Sequence, residues 1–390
     1  MFSIFSKERN SSIEILKIIA IVLIITNHAI QTLGANGNLY VPFEGYGIDL
    51  NGVTSNIQFL IISMMRYSGI IGNTVFFVCS AWFLLDNATV SKKKILLLLA
   101  DMWFISFIIL VIVLIHRKGN LDESLIVKSL FPFIFGNYWY VNCYIIFYAI
   151  HPILNKIIMC FDQKTMFRVT FSLASLYLFI SFFTRLTVYL FGAGTTFFGS
   201  NLIVWVVIYL IVGYLKLYAP NFTHNKKRNI QLVMFGFIGN FGLVLLTNYI
   251  GMKFEVFSNA LLIWNESYNP FVIAFVIGLF NLVNDNRFVN KPINYISKQS
   301  FFIYIIHENV LLGMLYRPAM WFYVYSKYGY SLILYWLLLI VLIIFFFSLF
   351  ASIFYYETIH YIVSHLCEKI YSTIVLLWNE FEMKMINSIK

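Results

Sequence analysis

From Ser331 to Phe354 the chain carries no charged side chain. Such a run is longer than the roughly 20 apolar residues an α-helix needs to cross a ~30 Å hydrocarbon core. Nine similar runs precede it, at about 13–33, 68–86, 95–115, 137–158, 167–185, 201–218, 230–250, 269–283 and 299–316. In hydrocarbon every backbone polar group must find its partner within the protein, so apolar runs of this length read as helices. With 61% of the chain hydrophobic and 11% charged, little is left for a soluble domain. The expectation is an all-α fold: a polytopic transmembrane helical bundle of about ten helices over residues 1–355, then a cytoplasmic amphipathic helix or tail at 356–390.

A net charge of +10 would raise the question of nucleic acid in a soluble protein. In a multispan chain, basic residues mostly fix loops on the cytoplasmic side. The alternate loops that include Lys92 to Lys94 and Lys226 to Arg228 hold roughly twice the Lys/Arg of the opposite set. That asymmetry predicts a multi-pass protein of the cell membrane with both termini cytoplasmic and the lipid bilayer, not nucleic acid, as partner. The first run follows Lys7 and Arg9, as a signal peptide would, but it lacks a small-residue cleavage site and Lys17 and His28 interrupt it, so it reads as a retained span. Cys79, Cys143, Cys160 and Cys367 show no CxxC spacing and read as small buried hydrophobes.

Three stretches fit no simple span. Residues 34–56, with Glu44 and Asp49 and no base, read as an outer loop available for substrate contacts or as a plain connection. The segment 124–136, with Pro132 and Gly136, is too short to cross and reads as re-entrant or interfacial. Ile359, Ile362, Leu366, Ile370, Ile374, Leu377 and Phe381 repeat at helical spacing, which predicts an amphipathic helix on the inner membrane face or docked on a partner.

Ionisable groups inside spans are costly and therefore the first place to seek function. Glu14, Lys17 and His28 lie in the first run, Arg66 before the second, and His307 and Glu308 in the ninth. Lys17 and His28 share one helical face, about 16 Å apart along the axis. His307, Glu308 and Asn309 interrupt an apolar helix and need partners from neighbouring helices or a wet cavity. Lys17 also fits a snorkelling interface residue, His28 a hydrogen-bonded core histidine, and Arg66 a marker of the outer interface. The remaining histidines read as loop, span-end or tail residues, Trp139, Tyr140 and Tyr144 as an interfacial belt, and the glycines at 236, 239 and 242 as helix packing. The chain has no GxxxxGK[ST], GxSxG or HExxH, which argues against an ATP-driven pump, that class of hydrolase and a zinc protease. A histidine poised near neutrality can deprotonate a hydroxyl attacking a carbonyl, and Lys92, Lys93 and Lys94 can hold the phosphates of an anionic donor.

Four segments resemble the membrane acyltransferase 3 family: RNSSIEILKIIAIVLIITNHA, with its basic residue and histidine, IGNTVFFVCSAWFLL, YWYVNCYIIFYAIHPILN and SFFIYIIHEN. They occur in the family's order over residues 9–310. Ala81 after Ser80, Asn73-Thr74, and His151 before Pro152 depart from its usual pattern. The resemblance implies transfer of an acyl group, usually acetyl, from cytoplasmic acyl-CoA (acetyl-CoA) to a hydroxyl of a cell-surface glycan or lipid-linked saccharide. It matches Lys17 and His28 to the family's basic and histidine pair, Arg66 approximately to a basic residue before the second motif, and His307 to the late histidine. On this reading His28 is general base or acyl carrier, His307 and Glu308 orient base or acceptor, and Lys17 with Glu14, Arg66 and Lys92 to Lys94 sits on the CoA side. No metal and no permanently bound cofactor is implied. The runner-up is a transporter or flippase for a lipid-linked sugar, with the two histidines as proton-relay or substrate groups.

Overall fold

The computed structural model describes residues 9–32, 57–87, 89–191, 201–253, 270–328 and 332–389, and every regular element among them is helical. The loop at 34–56, with Glu44 and Asp49, lies outside the described residues. Among the described residues six helices are long and apolar enough to cross a membrane: α1 (Ser11–Gln31), α2 (Ile57–Arg66) running into α3 (Ser68–Leu84), α4 (Lys92–His116), α6 (Trp139–Cys160), α10 (Lys226–Lys253) and α15 (Ile333–Thr358). Between them lie α5 (Glu123–Leu130), α7 (Gln163–Phe191), α8 (Asn201–Tyr218), α9 (Pro220–Thr223), α11 (Pro270–Asp285), α12 (Lys291–Lys298), α13 (Ser300–His307), α14 (Arg317–Tyr328) and the last helix, α16 (His360–Ile389). This is a membrane helical bundle, as the apolar runs predict.

The hub is α1. Asn10 caps it, its side chain accepting from the Ser12 N–H at 3.1 Å. Ile13, Leu16 and Ala20 face a core shared with α3, α6, α8 and α11, whereas Ile21, Ile24, Ile25, Ala29 and Ile30 face a second core with α4, α13 and α15. One helix thus supplies a wall to both halves of the interior, and most of it is withdrawn from lipid. Contact with α3 is close because position 72 is glycine: a Cβ there would stand 2.5 Å from the Ala20 carbonyl oxygen. The Ser68 hydroxyl, donating to the Leu23 carbonyl at 2.7 Å, fixes the register.

Several expectations change. The ninth run is not one helix: α13 stops at His307 and the chain restarts through a π-helical turn at Leu312–Tyr316 into α14. The reason is polar. Asn309 turns its Oδ1 back to the Leu311 N–H at 3.0 Å and gives its amide to Tyr138 at 3.1 Å, which competes with the helical ladder. The segment at 124–136 is α5 and a turn folded against α4, where Ser106 donates to the Ser129 carbonyl at 2.8 Å and Trp103 to Leu130 at 3.0 Å. Gly236 and Gly239 do pack against Phe271 of α11, but a Cβ at Gly242 would meet nothing among the described residues. Tyr140 is no belt residue; it packs inside against Trp205 and Tyr304, with ring centroids 4.8 and 5.8 Å away. Cys79 and Cys367 are buried, but Cys160, the last residue of α6, is exposed.

α16 docks on the bundle itself, burying Val363 and Cys367 against α4 and α15 while Ile362, Leu366 and Ile370 stay exposed. The exposed row is the amphipathic face read from the sequence. Beyond Val375 the side chains of this helix lie outside the described residues.

Candidate active site

His28 and His307 meet. The first lies one turn before the end of α1 and the second is the last residue of α13, and the packing of these helices sets His28 Nδ1 3.2 Å from His307 Nε2. The rings stack with centroids 5.3 Å apart. Glu308, the C-cap of α13, turns its carboxylate into the same space, Oε2 standing 2.5 Å from His28 Nδ1 and 3.8 Å from His307 Nε2. A continuous ninth helix would carry residues 307 and 308 off on diverging directions. The break after His307 is what lets both reach His28.

Proton positions follow from the acceptors. His307 Nδ1 lies 2.8 Å from the Ile303 carbonyl oxygen, which can only accept, so Nδ1 carries the hydrogen and Nε2 offers a lone pair. His28 Nδ1, facing that lone pair and a carboxylate, is then the protonated nitrogen, and its Nε2 is left basic. A proton taken up at Nε2 makes an imidazolium whose positive charge Glu308 stabilises at contact distance, the role of the carboxylate in a catalytic triad.

Sequence reasoning missed Arg317, which follows the ninth apolar run and falls in the loop set poorer in Lys/Arg. It is buried, at the start of α14. Its guanidinium donates to the His307 carbonyl at 2.5 Å and to the His28 carbonyl at 3.5 Å, and Nη2 lies 3.9 Å from Glu308 Oε2. It therefore satisfies the orphan carbonyl at the end of α13, pins α1 to the break and offsets the charge of Glu308. Trp321, one turn on, donates to the Ala29 carbonyl at 2.8 Å. The sequence signal was available: a cation after the polar interruption of an apolar run. The donor atoms of His28, His307 and Glu308 lie within 4.8 Å of one another, near enough to share a cation. Arg317 already supplies the carboxylate with one.

The other expected site residues lie elsewhere. Glu14 and Lys17 pair at 3.2 Å near the start of α1, where Glu14 also accepts from Ser297 at 2.5 Å and Arg9 stands 3.9 Å away. Lys17 is part-buried over Phe83. Lys92, Lys93 and Lys94 open α4. Lys93 is ion-paired with Glu368 of α16, and Lys94 sits 4.7 Å above the Tyr148 ring, so of the triplet two have structural partners. Arg66, the last residue of α2, is buried within the protein. It precedes Ser68 and Gly69, which meet Leu23 and Asn27, so it belongs to the histidine half of α1 and not to the Lys17 end. The structure brings together His28, His307 and Glu308, and leaves the Glu14–Lys17 pair about 16 Å away along α1.

A second histidine–carboxylate pair, on a buried aspartate, was not anticipated. Asp101, in the interior of α4, accepts from Tyr355 at 2.8 Å and faces His360 Nδ1 at 2.9 Å. It joins the end of α15 and the start of α16 to α4.

Beside the histidine pair runs an apolar cavity of about 570 Å³ between α4 and α15, reaching His307 and Arg317. No curated protein and no solved structure matches the chain. Residues 10–357, however, match the family model described as an acyltransferase domain, a span that holds both histidines, the broken helix between them and the helices that carry them, and by that match the chain belongs to the acyltransferase 3 family of membrane acyltransferases.

Proposed function

We propose that the protein transfers an acyl group, acetyl in the simplest case, from acyl-CoA on the cytoplasmic side to a hydroxyl of a cell-surface glycan or lipid-linked saccharide. The observation that carries this reading is the contact of His28 with both Glu308 and His307 inside the membrane bundle. The carboxylate holds the His28 tautomer, His28 Nε2 takes the proton of the acceptor hydroxyl as it attacks the thioester carbonyl, and the CoA thiolate leaves. The hydroxyl gains its nucleophilicity as the proton moves, so no covalent acyl-enzyme is needed, although His28 could also carry the acyl group in two steps. Lys17, beside Glu14, and Lys92 to Lys94 are the groups available to the CoA phosphates, with Lys92 the one of the triplet without a structural task among the described residues. The orientation consistent with this path places both termini in the cytoplasm.

The test is reconstitution. Purified protein in liposomes, given radiolabelled acetyl-CoA and a glycan acceptor on the opposite side, should label the acceptor, and His28→Ala should abolish labelling. Undiminished labelling by His28→Ala would overturn the role of His28. Movement of unmodified lipid-linked sugar without any acyl-CoA would instead favour a flippase.

A further inference from the structure

The cavity beside the histidine pair is a groove between α4 and α15. Their alignment is fixed by Tyr355, near the end of α15, meeting Asp101 of α4. The lining on α15 extends from Ile343 to Tyr355, about 18 Å at 1.5 Å per residue. That exceeds half of a ~30 Å hydrocarbon core, the length available to one leaflet's acyl chain. The walls are aliphatic and aromatic, and Phe347 and Phe354 on its rim are exposed on the outside of the bundle. Because α4 and α15 are membrane-crossing helices, that rim meets hydrocarbon and not water. The groove is kept open by small residues on α15: Ser348, whose buried hydroxyl has no hydrogen-bond partner among the described residues, and Ala351 one turn later.

What the groove touches decides its occupant. Its wall includes Arg317 and His307, whose Nε2 stands 3.2 Å from His28 Nδ1, so an apolar space reaches the edge of the histidine pair. In a fatty acyl thioester the first methylene is bonded directly to the carbonyl that is attacked. In a lipid-linked saccharide, by contrast, the hydroxyl to be acylated is separated from the hydrocarbon chain by a sugar and phosphate, which would need cations and donors between the histidines and the groove. Of the basic residues in the described lining, Arg317 is already engaged by two carbonyls and Glu308, and His116 lies at the far end of the α4 wall, 3.0 Å from the Tyr316 hydroxyl.

Resting on the acyl-CoA-dependent reading above, we propose that the α4–α15 groove binds the hydrocarbon chain of the acyl donor, so that the protein accepts medium- or long-chain acyl-CoA and not acetyl-CoA alone. The reaction is unchanged by chain length: the acceptor oxygen bonds to the thioester carbonyl carbon, the C–S bond breaks, the hydroxyl proton passes to His28 Nε2 and then to the CoA thiolate. The groove contributes binding of the chain and an exit for it sideways into the bilayer.

The experiment compares acetyl-, octanoyl- and hexadecanoyl-CoA as donors with the full-length protein in nanodiscs. Expected is a kcat/KM at least tenfold higher for hexadecanoyl-CoA than for acetyl-CoA, and a fall of at least tenfold in that ratio for Ala351→Phe, which fills the groove. Leu338→Phe, on α15 but outside the groove, should leave the ratio unchanged. A ratio that favours acetyl, or one insensitive to Ala351→Phe, overturns the proposal. A second arm needs no turnover: hexadecanoyl-CoA with a terminal diazirine should label peptides from α4 or α15, and labelling elsewhere or not at all overturns it. If no acyl-CoA supports transfer, the function proposed above fails while the labelling arm still decides the groove. A photoreactive polyprenyl phosphate that labels the same peptides and is not displaced by hexadecanoyl-CoA would assign the groove to the acceptor and overturn the donor assignment.

Discussion

Two buried clusters in this bundle contain a histidine facing a carboxylate across helices, and they are built for opposite ends. At the first, His28 faces Glu308 at 2.5 Å, an arginine lies behind the carboxylate, and a second histidine, 3.2 Å away, lines the end of an apolar groove. At the second, His360 faces Asp101 at 2.9 Å, and the other partner is a tyrosine that donates to the same oxygen. The second cluster joins a tyrosine and a histidine to one carboxylate oxygen, and the three residues tie α4, α15 and α16 together. The first keeps one imidazole nitrogen uncommitted and its carboxylate on a helix break. A charge within the membrane is thus no sign of chemistry by itself. What separates the two is the company of the pair: at the first a second imidazole, a buried guanidinium and the end of an apolar groove, at the second one tyrosine.

The largest effect that would break this contrast is on turnover. Glu308→Gln keeps the shape and removes the charge that supports a protonated His28, so kcat should fall by roughly 10²- to 10⁴-fold, the range for general acid–base groups, with KM for the acyl donor little changed. Asp101→Asn, the equivalent change at the other cluster, should leave kcat within about threefold of wild type. Transfer assays on the two purified variants side by side decide it. Equal losses would mean that both pairs are structural or that both act in catalysis.

Next in size is Arg317→Met. Removing the guanidinium strands Glu308 and the carbonyls of His307 and His28 without a donor, and breaking a buried pair from one side costs roughly 3–5 kcal/mol. A clear fall in thermal midpoint by scanning fluorimetry in detergent is expected, with loss of activity alongside. Arg317→Lys should recover part of the stability and less of the activity, because a single ammonium cannot reach two carbonyls and a carboxylate at once. Stability of Arg317→Met equal to wild type would remove the arginine from the framework of the site.

The same contrast governs what residues alone reveal. The apolar runs dictated helices, since hydrocarbon permits little else, and Lys17, His28, His307 and Glu308 stood out because each is costly inside a span. Arg317 did not, because a cation after an apolar run reads as a loop anchor, and the break that buries it arises from Asn309 satisfying its neighbours locally. Asp101 escaped for the opposite reason. It interrupts an apolar run near a basic start, with nothing local to mark it as paired, and its partners Tyr355 and His360 lie more than 250 residues away.

The third effect is on stability alone. Asp101→Asn retains one acceptor for Tyr355 but loses the charge that faces His360, which should cost roughly 1–3 kcal/mol. Thermal unfolding should shift accordingly, and hydrogen exchange should rise first at the junction of α15 and α16. Exchange rising instead around His28 and α13 would show that the two clusters are coupled and not separate.

The smallest effect lies at the rim of the second cluster, where Lys93 of α4 pairs with Glu368 of α16. The hydrogen bond from Lys93 holds the Glu368 carboxyl below its ordinary range. A carboxyl whose folded pKa is depressed contributes its stability above the unfolded pKa and loses it as pH falls through the folded one. Acidification through the carboxylate range should therefore loosen the first turns of α16 on α4, read as faster hydrogen exchange there. Glu368→Gln should show the faster exchange at neutral pH and no further change on acidification. Because the pair is exposed and screened, the global thermal midpoint should barely move. The buried contacts of Val363 and Cys367 hold the helix in place, so the ion pair sets how tightly its start is seated and not whether it docks. A Glu368→Gln protein whose tail exchanges as slowly as wild type would leave Asp101 and the apolar contacts as the whole of the attachment.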